Sequence, residues 1–190
     1  MTFKTGLCQM AGSLKEDMAE NKKWAKGEQM IREAASNGAQ IIALPEMWNC
    51  PYSNDFFRAY SESADGETVG RMSELAKTLG IYLIGGSIPE LDDDRVYNTC
   101  FAFDREGQVI GKHRKAHLFD IDVKGGIRFM ESDTLTAGDA ATVIDTEYGK
   151  IGIAICYDVR FPELFRKMTL DGARMVFLPA AFNLTTGPAH

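Results

Sequence analysis

Three side chains able to serve as nucleophile, base and cation stand where apolar runs give out. Cys156 ends "IGIAIC", Glu46 ends "IIALPE" and Lys115 ends "VIGKHRK". In α/β proteins ligands gather beyond the carboxyl ends of strands, where loops converge, so all three are candidates for one site. Each also has a plain structural reading. Cysteine is among the most buried residue types and fills small apolar gaps. Cys156 differs from Cys8, Cys50 and Cys100 because a helix begun by Pro162 follows it closely, a setting in which backbone donors and a helix N-terminus favour thiolate. Glu46 is either a surface carboxylate or, between Pro45 and the apolar turn "MWNCPY", a partly desolvated base of raised proton affinity. Lys115 lies in the basic run "KHRK", which equally reads as a charged edge that discourages strand-to-strand aggregation. His113 and His117 flank it and leave a Cys–His arrangement open, against the commoner role of such histidines as structural hydrogen-bonders.

The elements that must carry these residues alternate. "FKTGLCQM" reads as a strand and "NKKWAKGEQMIREAASNG" as a helix, with Trp24, Met30, Ile31 and Ala34 near helical spacing and Asn37-Gly38 as its stop. The strand "AQIIALPE" follows. The next helix, "ETVGRMSELAKTLG", sets Val69, Met72, Leu75, Ala76 and Leu79 on one face and ends at Gly80, before the strand "IYLIGGSI". "VYNTCFAFD" and "GQVIGKHRK" flank Arg105-Glu106-Gly107 and predict a hairpin. Residues 116–135 show little periodicity and read as a long loop, a flap over a site. Strand "KIGIAIC", a helix from about Pro162 and strand "RMVFLPAA" complete the chain. "NGAQIIALPE" and "DGARMVFLPA" align without gaps, an internal echo in which Glu46 of the first copy faces Ala180 of the second. The predicted class is α/β with mixed sheets.

The chain has 190 residues, is 45% hydrophobic and 25% charged, and carries a net charge of −6. One domain over residues 1–190 is the expectation. No basic run is interleaved with aromatics, so nucleic acid is not expected as a partner. No apolar stretch is long enough to span a bilayer, and "MTFKTGLCQMAG" has no secretory pattern; a cytoplasmic location without a membrane partner is expected. The four cysteines form no CxxC pair, so free thiols are expected rather than a disulfide or metal framework.

Taken together, "LPEMW", "GKHRKAHLFD" and "ICYDVRFPEL" in this order resemble the nitrilase superfamily of C–N hydrolases. "FDIDV", "RFMES" and "AFNLTTGPAH" look like its omega-amidase branch. The resemblance implies a four-layer α-β-β-α sandwich and a homodimer joined through outer helices. It implies Glu46 as general base, Lys115 as oxyanion-stabilising cation and Cys156 as nucleophile. Glu131, in "RFMES", matches a second glutamate beside that triad, and otherwise reads as a loop or cap carboxylate. The backbone N–H of Tyr157 is the expected second oxyanion donor. The implied substrate is a small dicarboxylate monoamide such as 2-oxoglutaramate or 2-oxosuccinamate, with neither metal nor organic cofactor required. Family members continue well past the "TTGPAH" at which this sequence stops, so a C-terminally truncated hydrolase domain is expected.

Asp158 and Arg160 are expected to pair and fix the turn after the nucleophile, because Arg suits paired, partly buried positions; a substrate-carboxylate role for Arg160 is the alternative. Other functions stay open at this point: a carbamoylase or another amidase of the superfamily, a Cys–His thiol hydrolase using His113 or His117, or a noncatalytic scaffold.

Overall fold

The computed structural model describes residues 2–11, 22–182 and 187–189. The first sheet begins with β1 (Thr5–Leu7), β2 (Ile41–Ala43) and β3 (Tyr82–Ile84), paired in parallel. Helix α1 (Lys22–Ser36) joins the first two strands, and α2 (Asn54–Phe57) and α3 (Glu67–Leu79) lie between the second and third. β5 (Arg95–Phe103) continues the sheet antiparallel to β3, shares that edge with β4 (Ile88–Asp92), and pairs on its other edge with β6 (Val109–Arg114). A small hairpin, β7 (Asp120–Asp122) with β8 (Arg128–Met130), follows. The second sheet sets β10 (Gly149–Ile153) between antiparallel β9 (Thr142–Thr146) and parallel β11 (Met175–Phe177), with α4 (Pro162–Leu170) as the crossover.

Strand alternation sorts the side chains into layers. Ile41 and Ala43 join Ile84, Cys100 and Ala102 of the first sheet and Ile151, Ile153 and Phe177 of the second in one core between the sheets. Ile42 and Leu44 point the other way, into a cluster with Ile31 of α1 and Val69, Met72, Leu75 and Ala76 of α3. Ala154 packs against Leu164 and Met168 of α4. Helices therefore cover both outer faces, giving the α-β-β-α order. Gly111 lets the sheets meet closely, since a Cβ there would collide with Ile144. No helix among the described residues is long and apolar enough to cross a membrane.

The echo in the sequence is an echo in space. β1-α1-β2 and β10-α4-β11 are equivalent units: Ala39 N–H bonds Ala34 O as Ala173 N–H bonds Met168 O, and Gln40 N–H bonds Lys4 O as Arg174 N–H bonds Lys150 O. Gly6 lies under Ala34 of α1 as Gly152 lies under Met168 of α4. The predicted helices and the β5–β6 hairpin form, with Gly107 at φ 79° in the turn. The structure adds β4, β9 and α2, and replaces the structureless loop expected over 116–135 by β7, β8 and a 3₁₀ turn at Glu131–Asp133. Of "AFNLTTGPAH", residues 183–186 and 190 lie outside the described residues.

Candidate active site

Each predicted reactive residue leaves its element at the point where regular pairing stops. Pro45 turns the chain out of β2 and places Glu46 at 3% exposure. Lys115 follows β6, its N–H still bonded to Asn98 O at 2.8 Å. Glu131 opens the 3₁₀ turn after β8. Cys156 follows β10, its N–H bonded to Pro179 O at 2.9 Å and its φ at +43°. A non-glycine residue in that region is strained, so the surrounding bonds must hold Cys156 there.

The fold brings the four together. Lys115 Nζ lies 2.9 Å from Glu46 Oε1 and 3.0 Å from Glu131 Oε1, with all three side chains fully buried. Glu46 Oε1 also accepts from Asn98 Nδ2 at 2.9 Å and Tyr52 OH at 3.2 Å, and its Oε2 from Ala181 N–H at 3.0 Å. Glu131 accepts from Tyr52 OH and, at 2.7 Å, from Phe119 N–H. A cavity of about 940 Å³ opens beside them, lined by Glu46, Tyr52, Cys156, Tyr157, Phe119 and Arg128 among others.

Charge in this cluster is set by burial and by neighbours together. Burial opposes the Lys115 ammonium, but Glu46 and Glu131 outweigh it and hold its pKa above the ordinary value. Lys115 is a fixed cation. Burial raises Glu131, repulsion from Glu46 adds to that, and Lys115 opposes both. Burial and then Glu46 push the Cys156 thiol up, against Lys115 and the Ala181 N–H. The resting thiol is therefore protonated, and the helix that follows does not offset burial and the Glu46 charge. A reaction at this thiol would call for proton transfer to a base, and the group set against it is the Glu46 carboxylate.

The histidines are engaged elsewhere. Asp158 is fully buried and accepts from Ile155 N–H at 2.9 Å, His113 Nε2 at 3.2 Å, His117 N–H at 2.9 Å and His117 Nδ1 at 2.8 Å. Among the described residues no ion pair joins Asp158 to Arg160, and these donors take the place of that expected pair. Sequence reasoning missed Tyr52 and Asn98. Asn98 carried a signal, a lone amide inside the apolar run "VYNTCFAF", where a buried polar side chain must find a partner. Tyr52 carried a weaker one, its place in the proline turn just after Glu46.

Residues 4–190 match the family described as carbon-nitrogen hydrolase. Among curated relatives, the chain is 52% identical over 187 residues to nitrilase homolog 2 of Dictyostelium discoideum, covering 97% of this chain and 56% of that protein. It is 51% identical over 193 residues to a chloroplastic omega-amidase of Arabidopsis thaliana, covering 99% of this chain and 51% of that protein. The crystal structure of Saccharomyces cerevisiae Nit3, of branch 10 of the nitrilase superfamily, superposes with a TM-score of 0.86 at 41% identity, over 99% of this chain and 68% of that one. The chain thus spans a little over half the length of these two curated relatives.

Proposed function

The chain belongs to the carbon-nitrogen hydrolase family, and from that premise we propose that it is an omega-amidase, releasing ammonia from a dicarboxylate monoamide through a thioester on Cys156. The observation that carries the reading is the buried Glu46–Lys115 pair, 2.9 Å apart, with the Cys156 thiol against the same carboxylate. Kinship with proteins named omega-amidase supports the substrate class.

An amide carbonyl is a poor electrophile, so the reaction needs a strong nucleophile and stabilisation of the charge that forms on oxygen. Glu46 takes the thiol proton as Sγ attacks the carbonyl carbon. The tetrahedral oxyanion is met by Lys115 and the Tyr157 N–H. Collapse breaks the C–N bond, and Glu46 returns its proton to the departing nitrogen. Water, deprotonated by Glu46, then attacks the thioester, and the acid leaves as the thiol regains its proton. Glu131 holds Lys115 in place throughout, since the two are bonded at 3.0 Å.

A single hydrolase domain over residues 1–190 belongs to the same proposal, as do a homodimer and a cytoplasmic location; the Arabidopsis relative is chloroplastic. The test is ammonia release from 2-oxoglutaramate and from N-carbamoyl amino acids, compared on one preparation. Release from the first alone is expected, and release from the carbamoyl compounds alone would replace the omega-amidase reading with a carbamoylase.

A further inference from the structure

Beside the site stand two histidines that the amide chemistry leaves unused. We propose that His113 and His117, acting through Asp158, are positioning residues that lock the turn of the nucleophile to the strand exit carrying Lys115. The inference rests on the amidase reading above.

His113 is in β6, Lys115 follows the strand end directly, and His117 lies in the bend two residues further on. Asp158 lies two residues beyond Cys156. A carboxylate only accepts, so each ring must turn an N–H towards it. The bond at 3.2 Å uses His113 Nε2 and the bond at 2.8 Å uses His117 Nδ1. Both rings act as donors to a buried anion, and the groups that act on the Cys156 thiol are Glu46, Lys115 and the Ala181 N–H rather than either imidazole. The other nitrogen of His113 faces Thr142 Oγ1 of β9 at 3.1 Å, which ties the same histidine to the second sheet. His117 also stacks on Phe161, with ring centroids 3.6 Å apart and planes 8° from parallel. Phe161 in turn gives its N–H to Asp158 O at 3.0 Å.

The other end of this network holds the strained residue. Asp158 Oδ2 accepts from Ile155 N–H at 2.9 Å and Asp158 N–H bonds Ile155 O at 3.0 Å, closing a ring around Cys156 at φ +43°. Such backbone strain persists only where the surroundings over-determine it. One carboxylate therefore fixes both the conformation that aims Sγ and its distance from the residues flanking Lys115. The oxyanion needs both sides in register. Alkylation of the thiol by a small halide needs an accessible, deprotonated Sγ, but no oxyanion.

That difference supplies the test. His117 is the suitable position, because its side chain is 29% accessible and His113 and Asp158 are fully buried. The measurements are kcat and KM on 2-oxoglutaramate and the rate at which iodoacetamide labels the Cys156 peptide, for wild type, His117→Ala and His117→Asn. His117→Ala is expected to lower kcat by roughly 10²-fold, the usual consequence of misplacing reacting groups by about 1 Å. KM and the labelling rate stay near wild type. His117→Asn, whose amide nitrogen takes the place of Nδ1, recovers most of the lost kcat. An unchanged kcat overturns the inference, as does a loss confined to KM or a labelling rate that falls along with kcat. A wild-type chain inactive on 2-oxoglutaramate overturns the amidase reading and this inference with it, whereas an active wild type beside an unaffected His117→Ala overturns the inference alone.

Discussion

Glu46 acts on Cys156 in two opposed ways. While ionised it repels a thiolate and, after burial, is the main reason that the thiol rests protonated; once it holds the thiol proton, that repulsion is gone. Glu46→Gln should therefore abolish ammonia release yet let iodoacetamide label Cys156 at lower pH than in wild type, because the neutral amide no longer raises the thiol. A labelling profile unmoved or shifted upward would contradict the role of Glu46. Tyr52 has one proton to share between the Glu46 and Glu131 carboxylates, so Tyr52→Phe leaves buried acceptors short of a donor. A loss of about 1–3 kcal/mol in unfolding free energy is expected, read from denaturant midpoints. At this scale Cys156, Glu46, Lys115 and Glu131 were legible as motif residues, and the structure joins them. Tyr52 and Asn98 were not, because their importance lies in contacts that span 79 residues for Tyr52 with Glu131 and 52 for Asn98 with Glu46.

Elements fix the site through the contact between sheets. β6, which delivers Lys115, crosses β9 at Gly111, where a methyl group would strike Ile144. Gly111→Ala should cost about 1–3 kcal/mol, as overpacking of a filled core does, measured by thermal or denaturant unfolding. The nucleophile turn has a pH signature. Burial raises the proton affinity of Asp158, but bonds from His113, Ile155 N–H and His117 outweigh it and hold its pKa below the usual 3.8. Its stabilisation is thus present above the unfolded value and lost as pH falls through the folded one. The stability gap between wild type and Asp158→Asn should be full at neutral pH and shrink under strong acid; a gap independent of pH would contradict this. Helices α1 and α3 could be read in advance because their apolar faces recur at helical spacing, and the β5–β6 hairpin because glycine marks its turn. β4 could not, since Pro89 and Glu90 speak against a strand; Glu90 is tolerated there only through bonds from Arg114, Lys112 and Thr99. The hairpin β7–β8 was hidden by its largely exposed, aperiodic residues.

At the scale of the whole molecule, the proposed reaction draws on both halves of a duplicated plan. Glu46 leaves the first β-α-β unit and Cys156 the second, and the second unit carries Ala180 at the place of Glu46. The α/β class followed from the alternation of elements, and the four-layer order from resemblance, because which faces of two sheets meet is decided by long-range packing. Cys8 and Cys50 line the same cavity as Cys156, so the reacting thiol has to be identified peptide by peptide. The decisive measurement is peptide-level mass spectrometry of the chain quenched with acid during turnover of 2-oxoglutaramate. The account predicts the acyl group of the substrate on the peptide bearing Cys156, and none in Glu46→Gln. An adduct on the Cys8 peptide, or turnover that survives Cys156→Ala, would contradict it.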